Sequence, residues 1–93
     1  MRVGKILIKL HLPAPCSLKE KRSLLKGLIA KVKREFNVSI AEVGSLDDRR
    51  RAELGVAIVS NDGELNNRVL AKVVELLSRE PEVLIEDYEM EIL

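Results

Sequence analysis

Aromatic side chains are almost absent from this chain of 93 residues, which contains one Phe, one Tyr and no Trp. Modules that bind single-stranded RNA on an open sheet face stack the bases on exposed aromatic side chains. Here Phe36 closes a predicted helix on its core side, and Tyr88 is predicted on the buried face of the last strand. Base stacking on a sheet face is therefore excluded as a mode of binding.

Residues that ligate metals or act as nucleophiles are equally scarce, since the chain has one His and one Cys. The single Cys16 excludes an internal disulfide and a Cys-x-x-Cys site, and no cluster of ligands indicates a metal site. His11 and Cys16 flank a proline turn, but no third group orients them for nucleophilic catalysis. The glycines are isolated, so no glycine-rich phosphate loop is present. We therefore predict no catalytic residue, metal or cofactor, and a protein that is not an enzyme.

The composition is that of one globular domain spanning residues 1–93, with 46% hydrophobic and 33% charged residues. No stretch approaches the length of a membrane span, and charges interrupt the first apolar segment, so it does not resemble a signal peptide. We expect a cytoplasmic protein. The absence of Gln together with abundant Glu, Lys and Arg favours a thermostable protein from a heat-adapted source.

Hydrophobic periodicity predicts six elements in the order strand, helix, strand, strand, helix, strand. Alternating apolar and polar residues predict strands over residues 3–12, 38–44, 52–60 and 83–93. Helical spacing predicts one helix over residues 17–36 and a second that is capped by Asn61 and ends before Pro81. Two right-handed strand–helix–strand units predict a ferredoxin-like α+β sandwich, in which two helices cover one face of a four-stranded antiparallel sheet.

The first helix is amphipathic and strongly basic. Ser17 and Glu20 have the spacing of a capping box. Residues 17–36 contain seven basic and two acidic residues, a net charge of +5. Lys21 interrupts the apolar stripe of the helix. It either snorkels past the end of the core or lines a site at the start of the helix.

Two basic segments form a candidate RNA-binding surface. The candidate residues are Lys19, Lys21, Arg22, Lys26 and Lys33 of the helix and Arg49, Arg50 and Arg51 of the connection before the third strand. Such side chains contact phosphates and add affinity without reading the base sequence. The alternative is a solvated charged face on a heat-stable protein, because runs of charge are weak indicators of binding.

The sheet face that the helices leave open is a second candidate surface. Its small and uncharged part consists of Ala41, Val43, Gly55, Ala57 and Val59. A patch of this kind indicates a contact with another protein or with a second copy of the chain. Lys5 and Lys9 are expected to lie opposite the acidic residues of the fourth strand. A sensor of small ligands is a third functional class, and only the predicted topology supports it.

Three ordered segments resemble the signature blocks of the YlxP-like family, small bacterial proteins of unknown function. They are SLKEKR at residues 17–22, FNVSIAEV at 36–43 and AELGVAIVSND at 52–62, and the closing EMEIL at 89–93 is similar too. The resemblance implies a ferredoxin-like fold and a gene neighbourhood often shared with translation initiation and ribosome maturation factors. It implies no catalytic residue. In this family the loop before the third strand often bears a bulky aromatic residue, where this chain has arginine.

These observations favour a non-enzymatic cytoplasmic accessory protein that contacts RNA or a ribonucleoprotein through the first helix and the arginine-containing connection. The alternative is a protein–protein interaction module, or a homodimer, that uses the open sheet face.

Overall fold

Six elements follow one another in a computed structural model that describes residues 1–13 and 17–93. They are β1 (Arg2–His11), α1 (Leu18–Glu35), β2 (Ser39–Gly44), β3 (Arg51–Ser60), α2 (Gly63–Ser78) and β4 (Leu84–Ile92). The strands form one antiparallel sheet in the order β2-β3-β1-β4. The predicted ferredoxin-like sandwich is therefore confirmed, and the predicted ends of the elements agree with the structure to within two residues.

The core lies between this sheet and the two helices. The central strands β1 and β3 supply most of the buried side chains of the sheet, which are Ile6, Ile8, Leu10, Ala52, Leu54, Val56 and Ile58. Above them, α2 packs on β1, β3 and β4, while α1 packs on β2. Full burial of each large aliphatic side chain contributes about 1.5–3 kcal/mol to folding. Within the described ranges, neither helix combines the length and the apolar character needed to cross a membrane.

Both helices begin at a polar cap. At α1 the predicted capping box is confirmed, since Ser17 Oγ accepts the Glu20 N–H at 3.1 Å and Glu20 Oε1 accepts the Ser17 N–H at 3.3 Å. At α2 the predicted cap is wrong by one residue. Asp62, not Asn61, is the cap, because its carboxylate accepts the N–H groups of the first turn, with that of Glu64 at 2.9 Å.

A β-bulge in β4 reverses the orientation that simple alternation would give Leu84. The register shifts between Lys9 and Leu10, so Asp87 pairs with Lys9 whereas Ile85 pairs with Leu10. The extra residue turns Ile85 inward and leaves Leu84 on the open face with 56% of its surface exposed. Unbroken alternation along β4 would put Leu84 on the same face as Tyr88, Met90 and Ile92, because a bulge leaves no mark in a simple alternating pattern.

Candidate nucleic-acid interface

One flank of α1 is basic along its whole length. The opposite flank is fixed beside α2, because Lys31 Nζ donates to Glu80 Oε1 at 2.6 Å just beyond the end of α2. At about 100° per residue, four other cations then lie on the side of α1 away from α2. These residues, here called the basic flank, are Lys19, Arg22, Lys26 and Lys33. All four are exposed, and none of them forms an ion pair with another residue of the described ranges.

The arginine loop, residues 45–50, connects β2 to β3, and hydrogen bonds within it and from Leu12 contribute to its conformation. The N–H of Asp48 donates to the Ser45 carbonyl at 3.0 Å, and Leu12 N–H donates to the Arg50 carbonyl at 2.7 Å. Ser45 has a φ of 55°, in the left-handed region that residues other than Gly rarely occupy. The N–H of Arg50 donates to Asp48 Oδ1 at 2.8 Å, and this bond holds the pKa of Asp48 below its ordinary value. The loop therefore has a defined conformation.

A buried lysine ties this loop to the start of α1. The side chain of Lys21 is 0% exposed, and its Nζ donates to the carbonyls of Ser45 at 2.6 Å and of Asp48 at 2.7 Å. The same atom lies 3.1 Å from Glu42 Oε2, an ion pair without the alignment of a hydrogen bond. An ammonium group is buried without a large penalty only when its N–H groups have such partners. Lys21 thus fixes the arginine loop against the first turns of α1.

The structure places two of the predicted RNA contacts apart from the others. Lys21 neither snorkels nor reaches a ligand, because Glu42 and the loop carbonyls enclose its ammonium group. Arg51 is the first residue of β3 rather than part of the loop, and the next residue, Ala52, is buried, so Arg51 lies on the open sheet face. Its Nε is 3.3 Å from Glu86 Oε1.

His11 pairs with Arg51 across β1 and β3, and its Nδ1 lies 3.5 Å from Glu86 Oε1. Sequence analysis paired His11 with Cys16, which is outside the described residues. Within the described residues, Glu86 therefore has His11 and Arg51 as its neighbours in this part of the sheet.

The remaining candidates fall into two groups that meet at one end of the molecule. Because Lys21 bonds to residues 45 and 48, the arginine loop with Arg49 and Arg50 lies where α1 begins. The basic flank runs from there along α1, and Arg22 and Lys33 are separated by about 16 Å of helix axis. Among the acidic residues of the loop, Asp47 is exposed.

Sequence reasoning identified these cations but missed the group that positions them. The available signal was a lysine at an apolar position of the helix, which two interpretations explained without the loop. Asn66 is a parallel case, since it is fully buried in α2 and accepts a hydrogen bond from Ser60 Oγ at 2.6 Å. The hydrogen-bond partners of Lys21 and Asn66 lie outside the helices that contain these residues. The periodicity of a helix therefore does not predict them.

The open sheet face combines small residues with exposed valines. Lys5 and Glu91 form the predicted cross-strand pair at 3.8 Å. On the other half of the face Val43 lies over Gly55, where an added Cβ would be 3.1 Å from Val43 Cγ1. Val43 is 56% exposed and Val59 is 62% exposed. Val43 and its small neighbours Ala41, Gly55 and Ala57 line part of a shallow concavity of about 650 Å³.

The topology and this surface define a ferredoxin-like α+β protein with a basic helix and a fixed loop, whose sheet is covered by helices on one face and open on the other. Residues 3–90 match the model of a family described as "Protein of unknown function (DUF503)". The uncharacterised protein YlxP of Bacillus subtilis (strain 168) is 39% identical over 67 residues, which cover 72% of this chain and 73% of that protein. The chain therefore belongs to this family of unknown function, and the resemblance to YlxP-like proteins is confirmed.

Solved structures resemble the chain in fold. A de novo designed protein with a ferredoxin fold, determined by solution NMR, aligns with a TM-score of 0.57 at 18% identity, covering 99% of this chain and 85% of the designed one. A REP-associated tyrosine transposase bound to a REP hairpin aligns with a TM-score of 0.46 at 14% identity, covering 98% of this chain and 55% of that one. The first likeness supports the fold, and the second is too weak to support any argument.

Proposed function

We propose that this protein is a non-enzymatic cytoplasmic accessory protein that binds structured RNA, alone or within a ribonucleoprotein, through the basic flank of α1 and the arginine loop. The observation that carries the proposal is the position of Lys21, which is fully buried and holds an exposed, arginine-bearing loop in place. Burying an ammonium group to order a surface loop adds little to the core itself. It does give the loop a fixed shape before any ligand arrives, which reduces the entropy lost on binding.

The charge distribution supports the same function. The basic flank has no ion-pair partner in the described parts of the chain, so its four cations are available to an anionic ligand. Lysine and arginine bind phosphate groups through charge-assisted hydrogen bonds. The gene neighbourhood implied by the YlxP-like resemblance points to RNA of the translation apparatus as the ligand.

Salt dependence is the direct test of this proposal. We expect a labelled ribosomal RNA hairpin to bind at low salt, with an affinity that falls steeply as salt is added, because each phosphate contact releases counterions. If all six cations contact phosphates, the slope of log K against log salt concentration is negative with a magnitude of at most roughly 5. The measurement is fluorescence anisotropy between low and physiological salt. Absence of binding at low salt would contradict the proposal.

A second candidate function, self-association through the open sheet face, is favoured by the two exposed valines. Val43 and Val59 stand on either side of smaller residues, including Gly55 and Ala57. Valines of one copy would fill the small-residue region of another, and a two-fold axis would make the contact self-complementary. Exposed apolar patches of a few hundred Å² on soluble proteins commonly mark such contacts.

The Ala57→Arg variant tests this second function. Ala57 is exposed and lies between Lys5 and Ser39 in the sheet, so arginine places a charge in the proposed contact without entering the core. We expect sedimentation equilibrium to show a dimer for the parent chain and a monomer for this variant. Ala71→Arg, the same change at an exposed position of α2, should remain dimeric. A parent chain that is monomeric at high micromolar concentration would contradict self-association.

A further inference from the structure

From the shape of the basic surface we infer that its ligand is a double-helical segment of RNA, bound by its phosphate backbone rather than by its bases. This inference rests on the proposed RNA-binding function and specifies the ligand of the same surface. It follows from three features: the absence of aromatic side chains from the surface, the linear arrangement of the flank cations, and the fixed position of the arginine loop.

Aromatic side chains are located away from the basic surface. Phe36 is half-buried at the end of α1 and packs against the core. Tyr88 lies on β4, at the opposite edge of the sheet from β2, on which α1 packs. Proteins that bind single strands obtain much of their affinity by stacking successive bases on aromatic side chains. This surface offers no such stacking, so a single strand would be ordered by phosphate contacts alone.

The cations of the basic flank form a straight row on a rigid element. Arg22, Lys26 and Lys33 extend along about 16 Å of helix axis. A duplex carries a dense and regular array of phosphates, so a row of this length meets several of them at once. A duplex holds those phosphates in a regular array. An unpaired strand must first be straightened to match the row, and that ordering weakens its binding.

The arginine loop adds a second, separately fixed group of cations at one end of this row. Its position is set by the bonds from Lys21 to the carbonyls of Ser45 and Asp48. Two rigid groups of cations fit a ligand whose phosphates are themselves rigidly spaced. A double helix is such a ligand, since its two backbones lie at fixed distances from each other across each groove.

The test compares three ligands of equal length. They are an RNA duplex of about 20 base pairs, one strand of that duplex alone, and a DNA duplex of the same sequence, with the sequence chosen so that the single strand does not fold on itself. We expect anisotropy titrations at low salt to show at least tenfold tighter binding of the RNA duplex than of the single strand. We also expect the Arg49→Gln and Arg50→Gln double variant to lose much of this preference. Lys5→Gln, on the open sheet face, is the control and should bind as the parent does.

The outcomes separate this inference from the proposed function. A single strand bound as tightly as the RNA duplex would overturn the inference while leaving RNA binding in place. No binding of either RNA would overturn both. A DNA duplex bound as tightly as the RNA duplex would support recognition of a double helix and contradict RNA as its source, whereas weaker binding of the DNA duplex would support RNA.

Discussion

Replacing Lys21 with Met is expected to lower the free energy of unfolding by about 3–5 kcal/mol, as removal of one partner from a buried ion pair typically does. The substitution keeps most of the side-chain volume but leaves the carbonyls of Ser45 and Asp48 and the carboxylate of Glu42 without their common cation. Urea denaturation monitored by circular dichroism measures this loss. Because the same bonds hold the arginine loop, the variant should also bind RNA more weakly under conditions in which it is folded.

Two further variants make this expectation specific to the buried ammonium group. Lys19→Met changes an exposed lysine two residues earlier and should alter stability by no more than about 0.5 kcal/mol. Combining Lys21→Met with Glu42→Leu removes the unpaired carboxylate and should recover part of the loss, since an apolar pair often replaces a buried ion pair without penalty. If Lys21→Met unfolded at the same urea concentration as the parent, the lysine would not be what holds the loop.

Reversing three charges of the basic flank, by changing Lys19, Arg22 and Lys26 to Glu, is expected to weaken RNA binding at least roughly hundredfold. Each lost charge-assisted contact is worth about 1.5–3 kcal/mol, and the new carboxylates repel phosphate. The salt dependence should become shallower by nearly 3 units of slope, about 0.9 per lost contact. The fold should persist, because the three side chains are exposed, and Glu in place of Lys19 in the first turn of α1 interacts favourably with the helix dipole. Anisotropy titrations measure the binding, and circular dichroism checks the fold.

The matched control reverses the same number of charges on the other helix. Arg68, Lys72 and Arg79 are exposed in α2 or directly after it, so their change to Glu alters the net charge of the protein equally. If binding depends on the basic flank, this control should retain most of the parent affinity. Equal losses in both triple variants would show that binding follows total charge, and the assignment of the ligand to α1 would be wrong.

Much of the fold could be predicted from the sequence because local pattern and burial agree in its central parts. The strict alternation of Ile6, Ile8 and Leu10 identified the inward face of β1, and those residues are buried. The capping box of Ser17 and Glu20 located the start of α1. Six elements in this order leave few topologies once crossovers are right-handed. The edge strand β4 was harder, because its bulge is set by pairing with β1 and not by its own sequence.

The candidate site was predictable only as a set of charges. Sequence showed where cations were concentrated, but it gave Lys21 and Arg51 the same role as Lys19. In the structure Lys21 is enclosed by the loop, Arg51 is paired with Glu86, and Lys19 is exposed. The difference arises from backbone carbonyls and acids far away in sequence, which no helical or strand periodicity encodes. The position of a cation relative to tertiary partners decides whether it binds a ligand or positions another residue.

The bonds of Lys21 also join two segments of the chain into one cooperative unit. Ser45 and Asp48 follow Lys21 by 24 and 27 residues, so the turn between β2 and β3 is completed only when the first turns of α1 have docked. Fraying of that helix end would release the loop at the same time. We therefore expect amide hydrogens in the two segments to exchange through one shared opening event, with a common free energy, although the segments are separated along the chain. A surface loop of this protein thereby takes its rigidity from the stability of a helix.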